Sequence, residues 1–216
     1  MPSDVDWCSA WETARSLSPY STFGVTPERA VAHWDRISEH YDCDAVGSID
    51  ELTWDVLVRE GLVPKGGTVL DIGCGTGALT ERFARAGTKV LGLDISPGML
   101  SLARQRCSGL ENAVFVCQDW NAFSAVHGFD LVFSSFCPGV DGLPSILRME
   151  SISMGMCCLV SLGRSTGRPL AFEILAELGA PGLSLEAFDP LYPYNVLRDM
   201  GRDPVMKEFR VCHEVH

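Results

Sequence analysis

The chain has 216 residues, of which 46% are apolar and 21% are charged, and its formal net charge at pH 7 is −11. This length suits one ordinary domain, and the composition supports a buried core and excludes a disordered chain. A surface this acidic repels phosphate backbones, and no apolar run reaches the roughly 20 residues of a membrane helix, so neither nucleic acid nor a membrane is an expected partner.

The cysteines point to a reducing compartment. There are nine of them, an odd number, and no two form a CxxC pair. The acidic N-terminal residues also lack the pattern of a secretory signal. We therefore expect a reduced, cytoplasmic protein, and no spacing predicts a metal site.

The N-terminal part of the chain predicts a flexible arm followed by two helices. The first ~20 residues show little pattern and are assigned to the arm. A helix is predicted to begin at Thr26-Pro27, a cap followed by proline in the first turn, and its apolar face carries Trp34 and Tyr41. A second helix is predicted to begin at Ser48, where Glu51 completes a capping box.

From residue 66 onward, short apolar runs alternate with helical stretches. This alternation predicts an α/β fold, with a doubly wound, mainly parallel Rossmann-like sheet and helices on both faces. Apolar strands without alternation are typical of a sheet that is covered on both faces. The predicted strands are 68–72, 89–93, 113–117, 130–134 and 156–162, the predicted helices are 78–86, one from Ser96-Pro97, 144–153, 170–178 and 192–200, and a last strand is predicted at 206–213.

The strongest chemical signal is the run VLDIGCGTG at residues 69–77, in which a strand enters a glycine-rich turn before a helix. Glycines let the backbone approach a ligand closely, and the helix start supplies free N–H groups. The run alone is ambiguous, because Gly73, Gly75 and Ala78 also satisfy the dinucleotide fingerprint G-x-G-x-x-A.

Three carboxylates in or at the ends of the predicted strands favour a nucleoside ligand with a cationic amino acid group over a dinucleotide. Asp71 lies inside the strand. A pyrophosphate has no use for a carboxylate at this position, whereas a cationic amino acid group would be attracted by it. Asp94 ends the next strand and can accept hydrogen bonds from both ribose hydroxyls, a position that nicotinamide enzymes also use. Asp119 could accept from an adenine amino group, and Trp120 could pack against the ring.

With these segments, the chain resembles class I S-adenosylmethionine (SAM)-dependent methyltransferases over about residues 30–162. DIGCGTG, LGLDIS, QDW and FDLVFSSF match the family's motifs in order and spacing. The resemblance implies that Tyr41 covers the cofactor and that Ser134 or Ser135 faces the methionine amine and the reacting methyl. It implies further cofactor contacts by Asp71, Gly73, Cys74, Gly75 and Gly77 with the methionine part and by Asp94, Ile95, Gln118, Asp119 and Trp120 with the nucleoside.

The resemblance implies methyl transfer to a small-molecule acceptor by in-line displacement, with SAM as the cofactor and no catalytic base assigned. One domain is expected, with an N-terminal arm and helical lid at 1–62, a cofactor-binding core at 63–163 and a substrate-side segment at 164–216. A homodimer is compatible with the sequence. An apolar or aromatic acceptor is suggested by the aromatic residues Trp34, Tyr41, Phe172, Tyr192 and Tyr194.

The sequence departs from the family in two places, the first of which argues against DNA as the substrate. The segment SSFCPG lacks the Asn-Pro-Pro-Tyr type of motif of amino-directed DNA methyltransferases. The family's sheet usually ends with a sixth strand and an antiparallel seventh, whereas this sequence stops near its predicted sixth, so a missing strand or a truncated chain is expected. The alternatives are an NAD(P)-binding oxidoreductase and a non-catalytic SAM-binding protein.

Overall fold

The computed structural model describes residues 5–18, 26–41, 44–125, 128–161 and 188–209. Within these ranges, the strands are β1 (Thr68–Ile72), β2 (Lys89–Asp94), β3 (Ala113–Cys117), β4 (Phe129–Ser135) and β5 (Ser153–Val160). The helices are α1 (Trp7–Ser16), α2 (Pro27–Ile37), α3 (Asp44–Arg59), α4 (Ala78–Arg85), α5 (Pro97–Arg106), α6 (Leu143–Ile152) and α7 (Leu191–Asp199), with short 3₁₀ turns at Ser38–His40 and Trp120–Ala122.

The five strands form one sheet in the order β3-β2-β1-β4-β5, and every neighbouring pair is parallel. The central strand β1 places Asp71 beside Gly92 of β2 and Phe133 of β4. The connections turn in opposite directions from β1, and such a switch point opens a crevice at the carboxyl ends of the strands. The predicted fold class is confirmed.

The core around β1 is aromatic and dry. Phe83 of α4 lies edge-on to Phe133, with ring centroids 5.4 Å apart, and both side chains are fully buried. Trp54 of α3 also lies edge-on to Phe83, with ring centroids 5.4 Å apart. Val69 of β1 belongs to the same cluster. This packing holds α4 against β1 and β4, and the glycine-rich turn connects β1 to α4.

The described residues divide into two compact units. One holds the sheet with α2, α3, α4 and α5. The other holds α1 and α7, where Trp11 stacks on Tyr192 with ring centroids 6.4 Å apart and Trp7 meets the same ring edge-on at 6.2 Å. The three segments predicted for one domain, divided at residues 62 and 163, stay a prediction. None of the described helices is long and apolar enough to cross a membrane.

The prediction of a flexible N-terminal arm was wrong for residues 7–16, which form α1. Asp6 caps this helix, because its Oδ1 accepts from the Ser9 backbone N–H at 3.1 Å and its Oδ2 from the Ser9 hydroxyl at 2.7 Å. Trp11 and Ala14 are buried on its inner face. A cap followed by apolar residues at helical spacing was therefore present in the sequence.

Two predicted element starts also need correction. The second helix begins at Asp44, so Ser48 lies inside the helix and does not cap it. The fifth strand begins at Ser153, directly after α6, because its first residues pair with β4. Residues 206–209 form no strand, and Met206 and Phe209 are exposed there. The rest of that predicted strand and the helix predicted at 170–178 lie outside the described residues.

Candidate active site

A cavity of about 130 Å³ lies where β1 and β4 end. Six of the predicted cofactor residues line it, namely Tyr41, Asp71, Gly73, Cys74, Gly75 and Ser135. Asp50 of α3 and Phe136 complete much of its wall. Among the described residues that line the cavity, none is lysine or arginine. The cavity is therefore acidic, which suits a ligand that carries positive charge.

The glycine-rich turn gives the cavity its backbone wall. Gly73, Gly75 and Gly77 all have positive φ, of 69°, 54° and 82°. A Cβ added at Gly73 would lie 2.6 Å from the Cys137 Sγ, so that glycine is required by packing as well as by conformation. A Cβ added at Gly75 would meet nothing within 4 Å. Gly75 is consequently the point at which a ligand can approach the backbone of the turn.

Asp71 is the most deeply buried carboxylate of the site, with 2% of its surface exposed. The hydroxyl of Thr80 donates to Asp71 Oδ2 at 2.5 Å. The pKa of Asp71 is raised from 3.8 to about 7, mainly by burial; the Thr80 bond lowers it, and the charges of Asp50 and Asp94 contribute to the rise. A cationic group beside Asp71 would favour the ionised carboxylate and so gain from its position.

Asp94 connects the glycine-rich turn to the start of α5. Its Oδ2 accepts from the Gly75 N–H at 2.9 Å, and its Oδ1 accepts from the Ser96 N–H at 2.8 Å. Burial raises the pKa of Asp94, while these two backbone bonds lower it. The carboxylate is thus held in one orientation at the end of β2, where the ribose of a nucleoside is expected.

The two serines that end β4 differ in their surroundings. The Ser134 hydroxyl donates to the Ile72 carbonyl at 3.2 Å and is fully buried. The Ser135 hydroxyl is also buried, has no hydrogen-bond partner among the described residues, and lines the cavity. Leaving a buried hydroxyl unpaired costs roughly 1–3 kcal/mol, so Ser135 is ready to bond a ligand.

The segment after β3 is built from local contacts. Asp119 Oδ1 accepts a backbone N–H within the 120–122 turn at 2.8 Å. Trp120 is buried against Phe123, with ring centroids 6.2 Å apart, and the Arg148 guanidinium lies 5.7 Å from its ring centre. The other predicted cofactor residues do not line the cavity, and their roles stay predictions; they are Gly77, Asp94, Ile95, Gln118, Asp119, Trp120 and Ser134.

The sequence reasoning missed Asp50 and Phe136. Asp50 stands next to Glu51, which was assigned only to a helix cap, and tertiary packing brings it to the cavity. Phe136 follows the two serines and has a φ of 49°, a conformation that bulky residues rarely adopt. Such strain is common at functional sites, but no feature of the sequence predicts it here.

Comparison with known proteins shows similarity to methyltransferases. Residues 69–147 match a methyltransferase domain family. Demethylmenaquinone methyltransferase of Tropheryma whipplei is 32% identical over 151 residues, which cover 68% of this chain and 58% of the relative. Ubiquinone biosynthesis O-methyltransferase of Hahella chejuensis is 40% identical over 83 residues, 38% of this chain and 32% of the relative. The chain therefore spans little more than half the length of the first relative.

Solved structures show the same fold. The DhpI–SAM–HEP complex matches with a TM-score of 0.59 at 18% identity, covering 81% of this chain and 88% of that one. YjhP of E. coli matches with a TM-score of 0.55 at 17% identity, covering 78% of this chain and 71% of that one. The family match includes β1 from Val69 onward, the glycine-rich turn and β4, which contribute to the cavity, whereas Tyr41 and the α3 residues that line it lie outside the match. The chain belongs to the class I SAM-dependent methyltransferase family.

Proposed function

We propose that this protein binds SAM and transfers its methyl group to a small-molecule acceptor. The observation that carries this proposal is the acidic cavity at the ends of β1 and β4. It combines the buried carboxylate of Asp71, the unpaired hydroxyl of Ser135 and the open approach to Gly75. The methionine end of SAM carries an ammonium, a sulfonium and a carboxylate, so its net charge is positive. A net positive charge fits a cavity lined by carboxylates and lacking basic side chains among its described lining residues.

The size of the cavity supports this placement. Small-molecule sites usually occupy about 300–1,000 Å³. The 130 Å³ here would hold one end of the ligand, with the ribose next to Asp94 beyond Gly75. We assign the amine to Asp71 and Ser135, and the ribose hydroxyls to Asp94. Ile95, Gln118, Asp119 and Trp120 are proposed for the adenine, and Tyr41 for the cover of the site.

SAM would supply a methyl group activated by the positive charge on its sulfur. A nucleophile of the acceptor can then attack the methyl carbon directly, while the C–S bond breaks and the sulfur leaves as the neutral thioether of S-adenosylhomocysteine. The protein's part is then to align the two reactants and to exclude water. Asp94 and Gly75 fix the nucleoside end, and Asp71 fixes the amine. The acceptor's own proton passes to solvent or to a base, and none of the residues described above is assigned that role.

We propose an apolar, aromatic acceptor. Tyr41 lines the cavity and lies edge-on to Trp34, with ring centroids 6.0 Å apart, so the N-terminal side of the cavity is aromatic. The names of the two relatives, a demethylmenaquinone and a ubiquinone-biosynthesis methyltransferase, refer to quinone chemistry and support this class. Of the other predicted aromatic residues, Tyr192 packs against Trp11 and Tyr194 lies next to the Arg198 guanidinium. Phe172 is outside the described residues. Trp34 and Tyr41 are therefore the residues that support an aromatic acceptor.

The test is calorimetry with SAM, S-adenosylhomocysteine (SAH) and NADH, followed by transfer of a radiolabelled methyl group to a panel of phenols and quinols. We expect both SAM and SAH to bind, and Asp94→Ala to weaken both by about tenfold or more because two fixed ribose contacts are lost. NADH binding without SAM binding would instead support an oxidoreductase, an alternative that the comparisons do not favour. Tight SAM binding without transfer to any acceptor would support a binding protein.

We also propose that the protein works in a reducing compartment. None of the seven cysteines in the described ranges forms a disulfide. Burial raises the pKa of Cys137 to about 12 and that of Cys158 to about 11, so these two thiols stay protonated at neutral pH. We propose a cytoplasmic protein that needs no disulfide for its stability.

A further inference from the structure

A carboxylate outside the cavity joins the N-terminal helix α2 to the start of α5. Asp35 Oδ1 accepts from the Ser96 hydroxyl at 2.5 Å and from the Gly98 N–H at 2.8 Å. Ser96 is the N-cap of α5, and its Oγ accepts from the Met99 N–H at 3.0 Å. The backbone N–H groups at the start of α5 therefore have two acceptors, the Ser96 hydroxyl of the same segment and the Asp35 carboxylate of α2. The negative charge of Asp35 is favourable at a helix N-terminus.

The same hydrogen-bonded chain continues to the proposed ribose site. The Ser96 N–H donates to Asp94 Oδ1, and the Gly75 N–H donates to Asp94 Oδ2. Asp35 thus fixes the residue whose N–H orients the ribose carboxylate. Both oxygens of Asp94 are aligned by donors, one of which is anchored from α2.

The approach of α2 to α5 depends on the absence of a side chain at position 98. A Cβ added at Gly98 would lie 3.0 Å from Asp35 Oδ1 and 3.0 Å from the Ser38 Oγ. Ser38 is buried, and its hydroxyl donates to the Asp35 carbonyl at 2.9 Å. From Ser38 the chain passes through the 3₁₀ turn to Tyr41, which lines the cavity. The contact therefore joins the ribose end of the site to the segment that carries Tyr41.

We propose that Asp35 is a positioning residue that couples ribose recognition by Asp94 to the docking of α2. Asp35 acts through Ser96 and does not touch the cofactor. When α2 is docked, Asp94 is held ready for the ribose hydroxyls. When the nucleoside is bound, the same contacts hold α2 and the segment leading to Tyr41 in place. This inference rests on the proposed binding of SAM.

The experiment compares Asp35→Ala with Asp35→Asn. The alanine variant loses both accepted hydrogen bonds, so the dissociation constant of SAH should rise about tenfold. The asparagine variant keeps an oxygen at the same place and should stay within about threefold of the wild type. Hydrogen exchange supplies a second readout, because SAH should slow exchange in residues 27–37 of the wild type and of Asp35→Asn, but not of Asp35→Ala.

Asp130→Ala is the matched control. Asp130 Oδ2 accepts from the Thr68 N–H at 2.8 Å and from the Thr68 hydroxyl at 2.9 Å. Like Asp35, it therefore accepts from one backbone N–H and one hydroxyl, but it lies at the end of the sheet opposite the cavity. Its loss should lower stability and leave SAH affinity unchanged. Equal SAH affinities in folded Asp35→Ala and the wild type would overturn the coupling, and so would an equal loss of affinity in Asp130→Ala.

Gly98→Ala tests the coupling should Asp35→Ala fail to fold. Alanine improves helix propensity at that position, but its Cβ crowds Asp35. We expect weaker SAH binding without a lower melting temperature, and unchanged affinity would count against the coupling. If the wild type itself does not bind SAH, the proposed function fails. If the wild type binds and the Asp35 and Gly98 variants bind equally well, the coupling alone fails.

Discussion

Gly75 carries two separate requirements, one of conformation and one of space. Its φ of 54° costs a non-glycine residue roughly 1–2 kcal/mol, and the open space beside it is the proposed ligand site. Gly75→Ala should therefore lose both stability and SAH affinity. Gly66→Ala is the control, because Gly66 has a φ of 68°, equally open surroundings and no part in the cavity.

Urea denaturation and calorimetry on both glycine variants separate the two requirements. We expect a similar loss of about 1–2 kcal/mol in the free energy of unfolding for each variant. The SAH dissociation constant should rise only in Gly75→Ala, by about tenfold or more, because the new methyl group occupies ligand space. Unchanged SAH affinity in Gly75→Ala would remove the turn from the binding site.

Asp71 makes the free energy of unfolding depend on pH in a direction unusual for a carboxylate. Its folded pKa is about 7 and its reference pKa is 3.8, so between these values the folded state holds a proton that the unfolded state has released. Stability therefore falls as pH rises through this window, by at most about 1.4 kcal/mol per pH unit. Above the folded pKa, the stability that comes from protonated Asp71 is fully lost.

Asp71→Asn should remove this dependence. Relative to the wild type, its free energy of unfolding should rise by about 2 kcal/mol between about pH 5.5 and about pH 8, measured by urea denaturation. Asp130→Asn is the control, because hydrogen bonds from Thr68 lower the pKa of Asp130, which is already ionised across that range. Parallel profiles for the wild type and Asp71→Asn would show that Asp71 is ionised when buried.

At the scale of elements, helix α6 holds the turn that follows β3. Arg148 Nη1 donates to the carbonyls of Trp120, Asn121 and Phe123 at 3.3, 2.6 and 3.3 Å. Arg148→Ala should lower the free energy of unfolding by about 1–3 kcal/mol, since the bonds and the stacking on Trp120 are lost together. Arg148→Lys keeps the charge but not the planar guanidinium, so its free energy of unfolding should lie between those of the wild type and Arg148→Ala.

The same substitution tests whether the turn after β3 binds the adenine. If Asp119 contacts the adenine amine, Arg148→Ala should also weaken SAH binding by several-fold, whereas binding of methionine alone should not change. Calorimetry with both ligands measures this difference. An SAH affinity equal to that of the wild type, in a variant that has lost stability, would remove the turn from the site.

Elements defined by local pattern were predictable from the sequence. The bounds of β1 and β3, the Thr26 and Ser96 caps, and the glycine-rich turn all follow from short runs of residues. The predictions failed where pairing or packing decides. The start of β5 depends on its register with β4. The helix α1 is a different case, because its Asp6 cap and apolar spacing are local signals in the sequence, and aromatic contacts with α7, about 180 residues further on, add to them.

The candidate site shows the same division. Asp71, Asp94 and Ser135 stand at strand ends, where a parallel sheet brings them together, so the order of the elements was enough to find them. Asp50 lines the cavity and Asp35 contacts Ser96 beside the proposed ribose position, both from helices whose sequences look like ordinary acidic surface. Only the docking of those helices gives these two residues their partners, and one sequence contains no signal for that docking.

For the whole molecule, net charge and site charge have the same sign. The chain carries a net charge of −11, and Asp50 and Asp71 line a cavity with no basic residue among its described lining residues. SAM carries one positive charge more than its product SAH. The field of the protein should therefore favour the methyl donor over the product, and salt should weaken the part of that preference that comes from surface charges.

Calorimetry at low and high ionic strength tests this charge effect. Raising sodium chloride from about 20 mM to about 500 mM shortens the Debye length severalfold, so the SAM dissociation constant should rise about threefold. That of SAH should change by less than about 1.5-fold, because its net charge is zero. Asp50→Asn should reduce the preference for SAM at every salt concentration, since this carboxylate lies at the cavity itself. Equal salt responses for the two ligands would mean that shape and hydrogen bonding, rather than the acidic field, select the donor.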